Sequence, residues 1–278
     1  MNYQFKIDPQ KLPALTEEQK ACPYAALYER DIAEPGADIL AAFAPDHEIA
    51  SSLAVMPEDL CKILDPNFHP TMGYCVMPNG VGYSCTVVRL PGAVPEMYDY
   101  RLNLVFAEDM GFIVEYPGFH FEHYDGLCIE DNGAGPKALI LDRNYSFAEL
   151  GFPGDPTKIN SDILSISAHD QDIVAVEGPI DPNRDKGVLI LVNKRIAGGM
   201  EQWWFVYSGL HIQDGKSAVV LAADEVISAE SCRRKGLHLA YESVNQLQYL
   251  PILMEQYPFR AFTPPRPWPE RYRFLQHK

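Results

Sequence analysis

Residues 238–251 read HLAYESVNQLQYLP, and the fold and the function both turn on this stretch. Leu239, Tyr241, Leu247, Leu250 and Leu253 predict a helix lying on a core. His238 and Glu242 stand one turn apart on a side that is otherwise apolar. In a helix such a pair projects to one face, so an imidazole and a carboxylate can converge on one point, as they would around a metal ion. The same spacing also fits an exposed hydrogen-bonded pair.

Around this segment, the run from Asp224 to about Gln256 reads as helix, with an interruption expected near Arg234 to Gly236 and a kink or end at Pro251. Upstream, YCVMPNGVGYSCTVVRL from Tyr74 places a Pro-Asn-Gly turn between two β-prone runs, a hairpin signal. A helix start follows at Pro95 and Glu96. FIVEYPGFHF, LCIEDNG, KALILD, DILSISAHD, IVAVEGPI, GVLILVNKRI, QWWFVYSGLHI and AVVLA then predict a mostly antiparallel sheet. Gly198-Gly199 reads as a hairpin turn, Trp203 to Phe205 as packing on both sheet faces, and Asp142-Arg143 and the Arg233 to Lys235 run as solvated charge. Residues 1 to about 70, punctuated by Pro9, Pro13, Pro23, Pro35, Pro45, Pro57 and Pro66, predict short helices and loops, and the tail from Phe259 predicts an extended strap. The architecture expected is α+β: an antiparallel sheet wrapped around a long C-terminal helix, with 1–72 as a helical extension and 73–278 as the main domain.

The formal charge of -15 argues against nucleic-acid and anionic-membrane partners and favours a small-molecule ligand. The six cysteines show no CxxC spacing, which removes a zinc ribbon or a thioredoxin-like motif. With neither a leader-like N-terminus nor a run of about 18 apolar residues, a cytoplasmic protein is expected. A metal site needs more than one His/Glu pair, and further donors crowd into GFHFEHYDGLCIEDNGAG: His120, Glu122, His123, Asp125, Glu130 and Asp131. Strand alternation puts His120 and Glu122 on one face and His123 on the other.

HLAYESVNQLQYLP, together with GYCVMPNGVGY (73–83), PGAVPEM (91–97) and CIEDNGAG (128–135), resembles the 2,4-diacetylphloroglucinol hydrolase and phloretin hydrolase family, in family order and over about residues 53–257. The resemblance implies a helix-grip (Bet v 1-like) catalytic domain and hydrolysis of the carbon-carbon bond between an acyl group and a phenolic ring. It also implies a metal, usually zinc, held by two His and two Glu. Carried over by motif, the ligands are His238, Glu242, Glu130 and, from Pro117-Gly118-Phe119-His120, His120, with His123 as its rival. Two His and two carboxylates also suit iron, manganese or cobalt.

There are departures from the family pattern. After PEM the family's tryptophan-rich run ending in Trp-His is replaced by YDYRLNLVF (98–106), and only nine residues separate His120 from Glu130. A phenol-binding tyrosine of the family corresponds to Phe112, which loses the hydrogen bond to the ring hydroxyl. His123 or His211 is expected to supply or relay the proton that the ring carbon takes, and Tyr207 to bind a ring hydroxyl or pack in the core. Two alternatives stay open: a decarboxylase, isomerase or cyclase on the same metal centre, and a helix-grip binding protein without metal. A homo-oligomer is compatible with either.

Overall fold

The Pro78-Asn79-Gly80 turn joins β1 (Gly73–Val76) to β2 (Gly82–Pro91) as an antiparallel hairpin. Gly80 takes φ 83°, and a Cβ there would lie 2.5 Å from the Glu225 carbonyl oxygen, so the turn admits only glycine. The structure is a computed structural model, and it describes residues 4–107, 109–124, 127–131, 138–175, 186–257 and 266–271. Six further strands, β3 (His120–Tyr124), β4 (Leu127–Glu130), β5 (Ala138–Asn144), β6 (Ile163–Ala175), β7 (Lys186–Ile196) and β8 (Gly199–Ser208), run as a meander. The meander joins the hairpin through β8, giving one antiparallel sheet ordered β1-β2-β8-β7-β6-β5-β4-β3.

The predicted QWWFVYSGLHI strand breaks at Gly209, whose φ of 81° turns the chain out of the sheet into a ribbon of β9 (Leu210–Gln213) and β10 (Lys216–Val219). IVA, predicted as the start of a separate strand, continues β6; the rest of IVAVEGPI, residues 176–180, lies outside the described residues. FIVEYPGFHF is not a strand throughout. Its first four residues complete α4 (Asp109–Glu115), which follows α3 (Pro95–Ala107), and Pro117 prevents the helix from running on into β3. Three short helices, α1 (Glu17–Lys20), α2 (Ala37–Ala42) and α5 (Pro156–Ile159), complete the set before the C-terminus, along with four 3-10 turns before residue 65.

The C-terminal helix, α6 (Ala229–Gln256), starts later than predicted because the Ser228 hydroxyl caps it, accepting from the Ser231 N–H at 3.1 Å. It runs uninterrupted through Arg234 to Gly236 and carries Pro251 inside it, on an exposed position near its end. The 233–235 run is only partly solvated. Arg233 and Arg234 hold Glu230, whereas Lys235 is buried and donates to the Ser208 hydroxyl at 2.9 Å. The side chains of Asp142 and Arg143 lie outside what is described.

Strand alternation sorts the sheet into two buried faces. Trp204 and Val206 pack with Leu189, Leu191, Tyr98 and Leu239 beneath α6. Trp203, Phe205 and Tyr207 pack on the other face with Val55, Leu60 and Ile63 from the N-terminal segment. This arrangement is mixed α+β and compatible with a helix grip. Each edge strand has an outer carbonyl engaged: the Tyr74 carbonyl accepts from the Ile49 N–H at 2.9 Å, and the His123 carbonyl accepts from Arg266. Among the described residues no helix is long and apolar enough to cross a membrane.

Candidate metal centre

On α6, successive residues rotate about 100° around the axis. Leu239, Ser243 and Gln246 therefore face the sheet, while His238, Glu242 and Tyr249 point about a quarter turn away, toward α4 and the β3–β4 hairpin. The short link noted in the sequence makes that hairpin: His120 and Glu130 are direct cross-strand partners on β3 and β4. A bulge between His120 and Glu122 breaks the expected alternation, so Glu122 turns outward to the Tyr124 hydroxyl and Arg271 while His120 is buried at 2% exposure.

Donor atoms of His120, Glu130 and His238 all lie within 4.8 Å of one another. His120 Nε2 is 3.6 Å from Glu130 Oε2 and 3.9 Å from Glu242 Oε2, and His238 Nε2 is 4.0 Å from the same Glu242 oxygen. Donors around a tetrahedral zinc at about 2.0–2.1 Å stand roughly 3.3 Å apart, so these three pairs need only a small contraction; Glu242 is not one of the three residues whose donors all lie within 4.8 Å. The His120 tautomer suits this, since Nδ1 lies 3.2 Å from the Phe112 carbonyl and donates to it, leaving the Nε2 lone pair for the cluster. His120 Nε2 and both ring nitrogens of His238 are buried without a hydrogen-bond partner. Burial holds His238 at a pKa of about 3 and His120 well below the usual histidine range, so both present neutral, ligating nitrogens.

Two residues that were not singled out in the sequence complete the centre. Arg101, on α3 within the departing YDYRLNLVF run, pairs through Nε with Glu115 and through Nη2 with Glu242 Oε1 at 2.8 Å. Glu115, on α4, is fully buried, with Tyr249 Oη 3.4 Å from its Oε1 and its Oε2 3.6 Å from His120 Nδ1. Arg101 therefore engages one oxygen of Glu242 and leaves the other toward the histidines. Burial works against the Arg101 charge, but Glu115 and then Glu242 outweigh it and hold the guanidinium above its ordinary value. Burial and then Glu115 push Glu242 up, against Arg101. Glu115 and Glu242 share one guanidinium here, one carboxylate more than it balances, and a divalent cation would offset the excess.

The other site residues predicted from sequence stand elsewhere. Phe112 stacks on His120 with centroids 4.0 Å apart, so ring and carbonyl together orient that imidazole. His123 meets the edge of Phe112 at 5.1 Å and is held near pKa 3 by burial, then by Arg266 and Arg101. Tyr207 is turned to the opposite sheet face and donates to the Val55 carbonyl, because its position on β8 has the parity of Trp203 and Phe205. His211 is also remote: its Nδ1 lies 2.6 Å from Asp170, which also receives the Tyr145 hydroxyl, on that same opposite face. Asp125 lies outside the described residues.

A cleft of about 540 Å³ opens over this region, lined by His120, Met110 and Ile113 together with N-terminal residues and Arg266. No protein-family model and no curated protein matches the chain.

Proposed function

We propose that the chain is a metal-dependent hydrolase that cleaves the carbon-carbon bond between an acyl group and a phenolic or related polyketide ring, releasing a carboxylic acid. In this reading residues 73–278 form a helix-grip, Bet v 1-like catalytic domain, and 1–72 an extension that walls the cleft. The observation that carries it is the convergence of His120, Glu130 and His238 within 4.8 Å, with both His238 nitrogens buried and unpartnered. His120, Glu130, His238 and Glu242 would hold the ion, zinc by preference, with iron, manganese or cobalt also compatible with the donors.

When bound, a divalent cation supplies Lewis acidity toward the acyl oxygen. Arg101 engages Glu242 Oε1 and leaves Oε2 toward the histidines, and the Phe112 carbonyl keeps the His120 proton on Nδ1. In the overall reaction water adds its oxygen to the acyl carbon, the acyl–ring bond breaks, and the ring carbon takes a proton. His123 is neutral, so it serves as a relay that gains a proton at one ring nitrogen as it yields one from the other.

Arg101 favours one rival. Its bond to Glu242 at 2.8 Å accounts for a buried glutamate without any ion, which fits a metal-free binding protein. Metal analysis by plasma mass spectrometry separates the two. About one equivalent in wild type, lost in Glu242→Ala and Glu130→Ala, with acid released from an acyl-phenol, supports the hydrolase. Metal without acid release points to another reaction on the same centre. A wild type that takes up no zinc or iron on reconstitution overturns the metal reading.

A further inference from the structure

A second buried polar cluster lies on the sheet-facing side of α6 and takes no part in the centre above. Asn193 on β7 and Gln202 on β8 are direct cross-strand partners, so both face α6, where Gln246 meets them. Asn193 and Gln202 are 0% exposed and Gln246 is 2% exposed. Their surroundings are apolar: Leu191 and Trp204 on one side, Val88, Leu90 and Met200 on the other.

The hydrogen-bond inventory of the trio does not close. Gln202 Nε2 donates to Gln246 Oε1 at 3.3 Å, and Asn193 Nδ2 donates to the Ser165 hydroxyl at 2.8 Å, beside the bulge between Ile163 and Ser165. Three groups are then left buried without a partner: Asn193 Oδ1, Gln202 Oε1 and Gln246 Nε2. Turning both glutamine amides over exchanges a donor for an acceptor and leaves as many groups unmet. Each such group is costly in an apolar interior, so a core that holds three together needs something to satisfy them.

We propose that Asn193, Gln202 and Gln246 form a built site for one small oxygen species, a water or a hydroxyl, which accepts from the Gln246 amide and donates to the amide carbonyls of Asn193 and Gln202, to both as a water and to one as a hydroxyl. An internal water fits this pattern, with two donated bonds and one accepted, and buried waters typically make about three. The hydroxyl of a bound ligand offers the same chemistry with one donor fewer. The site stands on this donor and acceptor count alone and is independent of the metal centre.

The test is a crystal structure at a resolution that shows ordered water, for wild type and Gln246→Met, each with and without soaked phenol. The expected result in ligand-free wild type is one density peak within hydrogen-bonding distance of all three atoms, absent from Gln246→Met. If phenol leaves the peak in place, the occupant is a water of the fold. If the phenol hydroxyl replaces it, the trio is a ligand subsite. Wild-type density with no peak, and with the three amides bonded to one another or to backbone, overturns the proposal without bearing on metal content.

Discussion

Tyr207 and Glu242 are both buried side chains with a polar tip, and their partners give them different tasks. The Tyr207 hydroxyl donates to the Val55 carbonyl while the Val55 N–H donates to Tyr83 at 3.2 Å, so two phenols fasten the N-terminal layer to the sheet. Tyr207→Phe is expected to cost about 1–3 kcal/mol by leaving a buried carbonyl unpaired, with metal content unchanged; urea melts beside metal analysis would check both. Arg101→Met removes the cation between Glu115 and Glu242, and stranding buried carboxylates is expected to cost about 3–5 kcal/mol. Under the metal reading that loss shrinks when zinc is added, and thermal melts with and without zinc would show it. Glu242 was legible in the sequence because a lone charge interrupts an apolar pattern. Glu115 in FIVEYP carries the same signal, whereas Arg101 in YDYRLNLVF has Asp99 two residues before it. Their partnership was not legible, since it depends on α3, α4 and α6 meeting in space.

The hairpin, the meander and the long last helix could be read from turn residues and periodicity, which are local. Boundaries set by capping or by parity were harder: α6 waits for Ser228, and Gly209 ejects β9 from the sheet. Pro251 was expected to disrupt α6, yet the helix carries it near its end, forgoing one backbone hydrogen bond. Pro251→Ala restores that donor on an exposed position and is expected to stabilise the protein by about 1–2 kcal/mol, readable as a raised midpoint in urea. At the other end of α6, hydrogen bonds from Arg233 and then Arg234 hold the Glu230 carboxyl at about 2. A glutamate is near 4.3 when unfolded. Its folded pKa is thus depressed, so its contribution is present above about pH 4.3 and lost as pH falls toward 2. Because Glu230 is largely solvated, Glu230→Gln is expected to cost at most about 1 kcal/mol at neutral pH. The difference in melting temperature from wild type should narrow on acidification below pH 4.5 and close near pH 2; a gap at pH 3 as wide as that at neutral pH would argue against this pairing.

Across the molecule, three layers meet on one sheet: the N-terminal segment on one face, α6 on the other, and α3 with α4 between α6 and β3. The surplus carboxylate of the candidate centre sits where the last two of these layers join. A chelator is therefore expected to lower the melting temperature; an ion held at a hundred times its dissociation constant contributes about 2.7 kcal/mol. An unchanged melting curve in protein that binds metal would place the ion elsewhere. The engaged edge carbonyls have a different consequence. A sheet with free outer strands is a template on which other chains can add strand by strand. Here Ile49 engages the margin at β1, and Arg266 covers β3, with Trp268 packed beside Tyr124, Leu127 and Ile129. Residues 266–271 are thus expected to guard the β3 edge against self-association. A chain ending at Gln256 is expected to fold around the same core but to gather into aggregates, visible by light scattering as a rise in particle size with concentration.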